Sequence, residues 1–214
     1  RFNREYIDEV HKALQLKTGF IESKIVDERG IRLNRMFLKK HKRPIYLISL
    51  VRDPIERNIS AFFQNKEHFA KKHEYSNIDE LIQLFYDLYD HDTPLTWFDR
   101  EFKRTTGVDI YDHPFPREKR YSILKSNNFN ILLLRIDLND SQKEQILREF
   151  LEKDNIKLKN RNVGSTKSYN SEYKNFNSNI KLNEKYVSKM LESKFVEHFY
   201  TKEEIEAMRI KWLN

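Results

Sequence analysis

The stretch from Ile45 to Asn65 carries the clearest change from apolar to amphipathic patterning in the chain. Ile45–Val51 is mostly apolar on both alternating faces, which is typical of a strand buried on both sides of a mostly parallel sheet. Asp53 and Pro54 follow as a helix start, because an Asp side chain accepts the first free N–H groups and Pro needs no N–H at the first helical position. The pattern predicts a buried strand, a turn and a helix.

The predicted helix after Pro54 has two faces. At about 100° per residue, four apolar side chains share one side: Ile55, Ile59, Phe62 and Phe63. Arg57, Ser60 and Gln64 gather on the opposite side, so Ser60 is not expected in the core. Glu56 lies three residues after Asp53, which is the spacing of a capping box.

Arg52 and Ser60 form a candidate site for a doubly charged anion. Arg52 ends the predicted strand, and its planar guanidinium matches phosphate oxygens, while Ser60 adds a neutral donor and the helix start adds partial positive charge. In the alternative interpretation, Arg52 pairs with a carboxylate of the sheet and Ser60 is a solvated surface residue. The strand end, the cap and the shared side favour the anion site.

The string V-R-D-P-(x)2-R-(x)2-S-(x)-F, which begins at Val51, resembles the 3′-phosphate-binding segment of sulfotransferases that use 3′-phosphoadenosine 5′-phosphosulfate (PAPS). In that superfamily an Arg at the end of a central strand and a Ser eight residues later hold the 3′-phosphate. The resemblance implies that Arg52, Ser60 and Arg57 bind the nucleotide. Looser similarity to the sulfotransferase-like family of capsular polysaccharide synthesis proteins covers Thr93–Phe102, Leu132–Leu138, Asn162–Tyr173 and Lys194–Glu206.

This resemblance implies one α/β domain over residues 1–214, with a central mostly parallel sheet flanked by helices, as in the P-loop NTPase-like sulfotransferase fold. A helical insertion is expected at about residues 66–106. The implied reaction is transfer of a sulfuryl group from PAPS to a hydroxyl of a carbohydrate acceptor in bacterial capsular or surface polysaccharide synthesis. Lys167, in a late basic segment, is a further candidate ligand of the nucleotide.

Sulfuryl transfer also needs a base that takes the proton of the acceptor hydroxyl. Related enzymes carry a His or Glu at the end of the strand that precedes the Arg–Ser strand. In this chain that position holds Asp27 and Glu28, and Glu28 is the preferred candidate of the two. No pair of His residues has metal-ligand spacing, and the chemistry requires no metal, so no metal site is expected.

The amino-terminal part of the chain predicts a β–α–β order before Ile45. Arg1–Lys17 is an amphipathic helix by its apolar stripe, Gly19–Val26 suits a strand, and Leu33–Lys40 suits a short basic helix. Right-handed crossovers between parallel strands would put the loops that follow the strands on one rim. These are the loops after Val26, Val51 and Ile136.

Related enzymes carry a Gly-rich phosphate loop with a Lys between the first strand and the first helix. The four glycines of this chain are scattered singly, so no segment can form such a loop. We expect a chain that is truncated or incomplete at its amino end, because Arg1 is not an initiator Met and the sheet would lack its first strand. The alternative is a degenerate, inactive relative.

Beyond Asn65 the pattern is mainly helical, with one predicted hairpin. Tyr121–Leu124 and Phe129–Ile136 are strand-like and are separated by turn residues. Gly107–Arg120 either covers an acceptor site or is a surface loop held to the core by Phe115. Asn160–Asn179 is polar without an apolar period, which predicts disorder in isolation. Four His residues are expected to be solvated: His68, His73, His91 and His113.

Composition and charge narrow the class of protein but not its partner. The chain has 40 Lys and Arg against 33 Asp and Glu, a net charge of +7, and no cysteine. It has no apolar run long enough for a membrane span or signal peptide, which predicts a cytoplasmic protein, and its charge allows peripheral contact with an anionic membrane surface. Oligomeric state is not indicated.

Two other functions stay open. A nucleic-acid-binding module is suggested by the basic patches Lys39–Arg43 and Lys157–Arg161 and by the many aromatic residues, but most of these aromatics fall on apolar helical stripes. Nucleic acid is therefore the less favoured partner. The third possibility is a non-catalytic relative that binds a nucleotide or glycan through the Arg52 half of the site.

Overall fold

The computed structural model describes residues 43–65, 75–158 and 170–213. Its sheet has three strands, β1 (Ile45–Val51), β2 (Tyr121–Ser126) and β3 (Phe129–Arg135), in the order β1-β3-β2. Strand β1 runs parallel to β3, and β2 runs antiparallel to it. The mixed α/β class was predicted, but the described sheet is half antiparallel, because the tight turn after Ser126 joins β2 and β3 as a hairpin.

Helices surround this sheet in the described part of the chain. In chain order they are α1 (Pro54–Gln64), α2 (Ile78–Leu88), α3 (Thr93–Trp97), α4 (Arg104–Thr106), α5 (Asp140–Leu151), α6 (Asn170–Asn179), α7 (Glu184–Leu191), α8 (Lys194–Phe199) and α9 (Lys202–Leu213). A π-helical segment, Phe98–Lys103, makes α3 and α4 continuous. The predicted elements at residues 1–17, 19–26 and 33–40 lie outside the described residues, as do residues 66–74 of the expected helical insertion.

Strand β1 has two different faces. Val51 faces the main core, where it clusters with Ile55 and Ile59 of α1 and with Ile131 and Leu133 of β3. The predicted apolar side of α1 is confirmed, because its four apolar residues are at most 1% exposed.

The opposite face of the sheet is covered only in part. Helix α5 packs on Leu132 and Leu134 of β3, which are nearly inaccessible to solvent. On the same face of β1, Tyr46, Ile48 and Leu50 are 41–47% exposed. The prediction that β1 is buried on both sides is therefore wrong for the described structure, since α5 covers β3 and leaves β1 at the edge.

Helix α6 corrects another expectation. Residues 160–179 were expected to be disordered in isolation, and within the fold Asn170–Asn179 is helical. Phe176 is fully buried and packs edge-on against Phe63 and Phe85 at ring distances of 5.1 and 5.6 Å. The ring of Tyr173 also lies 5.1 Å from that of Phe63, so two aromatic side chains hold a segment that has no apolar period. The remainder of that stretch, up to residue 169, lies outside the described residues.

The long connection after α4 is held to the core. Gly107 ends α4 with a φ of 79°, a left-handed conformation that suits Gly. Further along, Phe115 is 8% exposed, and its ring centroid lies 4.8 Å from that of Phe199. The interpretation of this connection as a surface loop fixed by Phe115 is the one that the structure supports.

Candidate anion-binding site

The carboxyl ends of β1 and β3 form one rim. Val51 lies opposite Arg135, and the N–H of Ile136 donates to the carbonyl of Val51 at 2.9 Å. Arg52 follows β1 and Arg135 ends β3, so two arginines come to the same edge of the sheet. The parallel pairing explains why the loops after both strands share this rim, as the sequence predicted.

The hydrogen-bond donors of Arg135 are all taken up by acceptors within the protein. Its guanidinium is 2% exposed and makes a double hydrogen bond with Glu204, from Nη1 to Oε2 at 2.6 Å and from Nη2 to Oε1 at 2.7 Å. Asp137 accepts from Nε at 3.1 Å and from Nη2 at 2.5 Å, and the carbonyl of Phe199 accepts from Nη1 at 3.2 Å. A guanidinium has five N–H groups, and all five have acceptors here, so Arg135 has no donor left for a ligand.

The charges around Arg135 balance. Arg120 lies 3.4 Å from both Asp137 and Glu204, which makes a cluster of two cations and two carboxylates. Burial acts to lower the pKa of Arg135, but its bonds to Glu204 and Asp137 raise that pKa above its usual value. Burial acts to raise the pKa of Glu204, but the bonds from Arg135 and Thr201 bring it below its usual value. The cluster therefore stays ionised and fastens α9 to the end of β3.

The described residues use only part of the hydrogen-bonding capacity of Arg52. Its Nη2 lies 3.4 Å from Oε1 of Glu56, and its side chain is 28% exposed. Its Nε is buried and has no hydrogen-bond partner among the described residues. The partner of Arg52 is thus a carboxylate of α1, not of the sheet as the alternative interpretation had it. An orphaned donor beside a weak surface ion pair is what an anion site needs.

Glu56 and Ser60 continue from Arg52 along one side of α1. Ser60 lies one helical turn after Glu56, and Arg52, which precedes the helix, reaches Glu56 through its ion pair. Ser60 is half-buried, in agreement with its exclusion from the core. The capping-box role predicted for Glu56 is not formed, because its carboxylate pairs with Arg52. A ligand at Arg52 would therefore meet a negative charge as well as the guanidinium.

The start of α1 is occupied by its own cap. Oδ1 of Asp53 accepts from the N–H groups of Ile55 at 2.8 Å and Glu56 at 3.3 Å, which confirms the predicted cap. Oδ2 accepts from the indole Nε1 of Trp212 at 2.8 Å. Burial raises the pKa of Asp53, although the bond from Trp212 opposes that shift. These two N–H groups are therefore not available to a phosphate, contrary to the expected contribution of the helix start.

Helix α9 lies across the rim. Near its start Glu204 bonds to Arg135 of β3, and near its end Trp212 bonds to Asp53 beyond β1. Thr201 and Glu204 form the predicted reciprocal cap of this helix at 3.0 and 3.3 Å. The contacts of Trp212 and Glu204 with the strand ends were missed from the sequence, where these positions show only a helical stripe and a cap.

Arg57, predicted to bind the nucleotide, makes contacts within the protein. Its Nη1 donates to the hydroxyl of Tyr89 at 2.7 Å and lies 3.2 Å from Oδ1 of Asn58. These bonds tie α1 to the end of α2. His91, expected to be solvated, is also engaged, with Nε2 2.8 Å from the carbonyl of Phe85. Its role is structural, because burial lowers its pKa and the neutral ring bridges backbone and side chain.

The other predicted site residues are Asp27, Glu28 and Lys167, and all three lie outside the described residues. The structure therefore describes Arg52 just before α1 and the half-buried Ser60 within it, and the joint role of the two, the predicted base and the late basic ligand stay predictions. Within residues 43–65, 75–158 and 170–213, no group of three or more His, Asp or Glu could hold a metal ion. None of the helices described there has the length and apolar character to cross a membrane.

Comparison with known proteins gives one match. A family model with the description "Putative capsular polysaccharide synthesis protein" matches residues 74–201, more than half of the chain. The matched range includes Arg135 and its partner Asp137 but not Arg52 or Ser60. No curated protein and no solved structure matches this chain.

Proposed function

We propose that this chain, which belongs to a family of capsular polysaccharide synthesis proteins, is a PAPS-dependent carbohydrate sulfotransferase. The family membership supports a role in polysaccharide synthesis, and the resemblance of the segment that begins at Val51 supports the use of PAPS. In the proposed reaction, a hydroxyl oxygen of the acceptor attacks the sulfur atom and the bond from sulfur to the 5′-phosphate oxygen breaks. The products are a sulfated saccharide and adenosine 3′,5′-bisphosphate. The acceptor is a bacterial capsular or surface polysaccharide or its precursor.

One observation carries the proposal: Arg52 is the strand-end arginine with a donor to spare. Arg135, the last residue of β3, lies at the same rim, but all its N–H groups have acceptors within the protein. Arg52 has an unpartnered Nε among the described residues, and Ser60 lies eight residues further along the outward side of α1. This pair suits the 3′-phosphate of the nucleotide, because the planar guanidinium of Arg52 matches phosphate oxygens and the hydroxyl of Ser60 is a neutral hydrogen-bond donor.

The ion pair with Glu56 does not exclude this role. Both side chains are partly exposed, at 28% and 39%, and such surface pairs contribute about 0–1 kcal/mol. Hydrogen bonds between an arginine and a phosphate contribute about 1.5–3 kcal/mol each. A dianion would therefore displace Glu56 from Arg52, at the cost of some repulsion. We assign Arg57 to the support of this surface through its bond to Tyr89.

The remaining parts of the proposed site come from segments outside the described residues. We propose that Glu28, or Asp27, takes the proton of the acceptor hydroxyl, and that Lys167 neutralises phosphate charge near the nucleotide. The net charge of +7 supports an anionic co-substrate and also allows peripheral contact with an anionic membrane that carries the acceptor. No metal is required for this transfer.

Calorimetric titration with adenosine 3′,5′-bisphosphate tests the site. We expect Arg52→Ala to weaken binding by about 2 kcal/mol, roughly 30-fold, and Ser60→Ala by about 1 kcal/mol, roughly 5-fold. Arg100→Ala removes an exposed arginine of the π-helical segment and serves as the matched control, with no expected change. Adenosine 5′-monophosphate, which lacks the 3′-phosphate, should bind the Arg52→Ala variant and the unmodified protein equally.

Unchanged affinity for the bisphosphate in both variants would refute the assignment of Arg52 and Ser60. Thermal stabilisation by single-stranded RNA that falls with salt, with no effect of the bisphosphate, would instead identify the nucleic-acid-binding module. Bisphosphate binding without transfer of labelled sulfuryl groups from PAPS to saccharides would identify the non-catalytic relative.

A further inference from the structure

Strand β1 has an open edge. On one side it pairs with β3, where the N–H of Ile45 donates to the carbonyl of Asn128 at 2.7 Å and the carbonyl of Val51 accepts from Ile136. Successive residues of a strand direct their N–H and C=O groups to opposite edges. The even-numbered residues Tyr46, Ile48 and Leu50 therefore direct these groups away from β3, and no strand in the described part of the chain pairs with them.

The side chains of the same three residues are exposed. Tyr46, Ile48 and Leu50 continue the apolar face formed by Leu132 and Leu134. Helix α5 buries the latter two and touches only the Tyr46 end of β1, where the rings of Phe150 and Tyr46 lie 5.5 Å apart. An open strand edge beside an exposed apolar surface is an aggregation hazard that folded proteins normally pair or cover. Among the described residues, the edge of β1 therefore has no pairing strand and most of its adjacent face is uncovered.

We infer that residues 1–42 of the same chain occupy the open edge and the exposed face of β1. This segment ends one residue before Arg43, where the described structure begins, so it is tethered beside β1 at high effective concentration. The predicted strand Gly19–Val26 is eight residues long and is therefore long enough to pair with the seven residues of β1. Residues 27–44 provide the dozen or more residues that a crossover between parallel strands needs.

The handedness of the crossover connections indicates which face of the sheet each predicted helix of residues 1–42 covers. Helix α1 packs on the face of the sheet that holds Val51 and Ile131. Right-handed crossovers that step across a sheet in one direction put their helices on one face, so the predicted helix at residues 33–40 belongs on the face of α1. The predicted helix at residues 1–17 then covers the opposite face, where its stripe meets Tyr46, Ile48 and Leu50. That stripe consists of Tyr6, Ile7, Val10, Ala13 and Leu14.

This arrangement has a consequence for the rim of the sheet. A strand that pairs in parallel with β1 and ends at Val26 brings Asp27 and Glu28 to the edge where Arg52 lies. The inference itself does not depend on the proposed function, because it stands on the open edge, the exposed face and the sequence of residues 1–42. Loss of bisphosphate binding would leave it intact.

Residue-resolved amide hydrogen exchange on the full chain tests the pairing. We expect the amides of Tyr46, Ile48 and Leu50 to be protected at least 100-fold, similarly to those of the odd-numbered residues of β1. Lys24→Pro and Ile25→Pro remove neighbouring N–H groups, and at least one of them should speed exchange of the even-numbered amides about 10-fold or more. The odd-numbered amides, bonded to β3, should keep their protection in both variants.

The absence of cysteine from the chain permits a second test by disulfide formation. The pair Val10→Cys and Ile48→Cys should form a disulfide within one chain. The control pair Val10→Cys and Ile123→Cys should not, because Ile123 is equally exposed on the same face but belongs to β2, two strands away. Unprotected amides at Tyr46, Ile48 and Leu50 in the full chain would overturn the inference. So would protection that depends on protein concentration with disulfides between chains, which would identify a second copy as the occupant.

Discussion

The substitution Trp212→Phe tests how α9 is fastened over the rim of the sheet. The indole Nε1 of Trp212 donates to Oδ2 of Asp53 at 2.8 Å, and this carboxylate is 8% exposed. A hydrogen bond to a buried charged group contributes about 1.5–3 kcal/mol, while a Phe ring keeps most of the apolar contact. Lys211 cannot replace the lost donor, because its Nζ is 4.0 Å away and half-exposed. We therefore expect the free energy of unfolding to fall by about 2 kcal/mol.

The dependence of this loss on pH follows from the pKa of Asp53. Burial raises that pKa above its usual 3.8, so ionised Asp53 opposes folding as the pH rises through its folded value. The bond from Trp212 favours the charged form and offsets part of this cost. Without the hydrogen bond from Trp212 the pKa of Asp53 rises further, so Trp212→Phe lowers the free energy of unfolding most at pH 7. Below pH 3.8, where Asp53 is protonated, the lost bond is a neutral one and the loss should shrink to about 1 kcal/mol.

Urea unfolding of the full chain at pH 7 and at low pH measures both quantities. Lys211→Met is the control, since it removes the neighbouring charge and leaves the indole in place. We expect this control to change the unfolding free energy by less than about 0.5 kcal/mol. A Trp212→Phe variant within about 0.5 kcal/mol of the unmodified protein at pH 7 would refute the reasoning, as would a loss that is equal at both pH values.

Three further predictions follow from the site and the core. Glu204→Gln leaves the buried Arg135 with one carboxylate partner in place of two. Urea unfolding should show that the free energy of unfolding falls by about 2–3 kcal/mol, and a fall below about 1 kcal/mol would contradict the anchoring role. Glu56→Gln removes the negative charge beside Arg52 and should raise calorimetric affinity for adenosine 3′,5′-bisphosphate about 3- to 10-fold, whereas weaker binding would contradict the proposed site. Burial lowers the pKa of His198 to about 4 from 6.5, so its contribution to stability is present above pH 6.5 and is lost as the pH falls through 4. His198→Phe should flatten the decline of unfolding free energy over that window, and an unaltered decline would show that another group causes it.

Local elements of this protein follow from local sequence. The predicted bounds of β1, Ile45–Val51, are those of the structure, and Asp53 caps α1 as its position before Pro54 indicates. Period and capping act between residues a few positions apart, so a single segment contains the information. The same holds for the reciprocal cap of Thr201 and Glu204.

Elements that depend on a distant pocket did not follow from local sequence. The polar sequence of residues 170–179 does not predict a helix. The helix forms because Phe176 inserts between aromatic rings of α1 and α2. The exposure of Ile48 and Leu50 within the described part of the chain was not predicted either, since the apolar pattern of a strand does not show which distant segments cover it.

The sequence by itself determined that Arg52 comes at the end of an apolar strand, and that Ser60 lies outside the core. Only the tertiary structure decided which arginine keeps a donor for a ligand. Arg135 is neutralised by Glu204, 69 positions away, and the turn after Arg52 is fastened by a bond between Asp53 and Trp212, 159 positions apart. Desolvation and ion pairing depend on which groups are in contact in the folded protein, and the spacing of residues along one segment does not show these contacts.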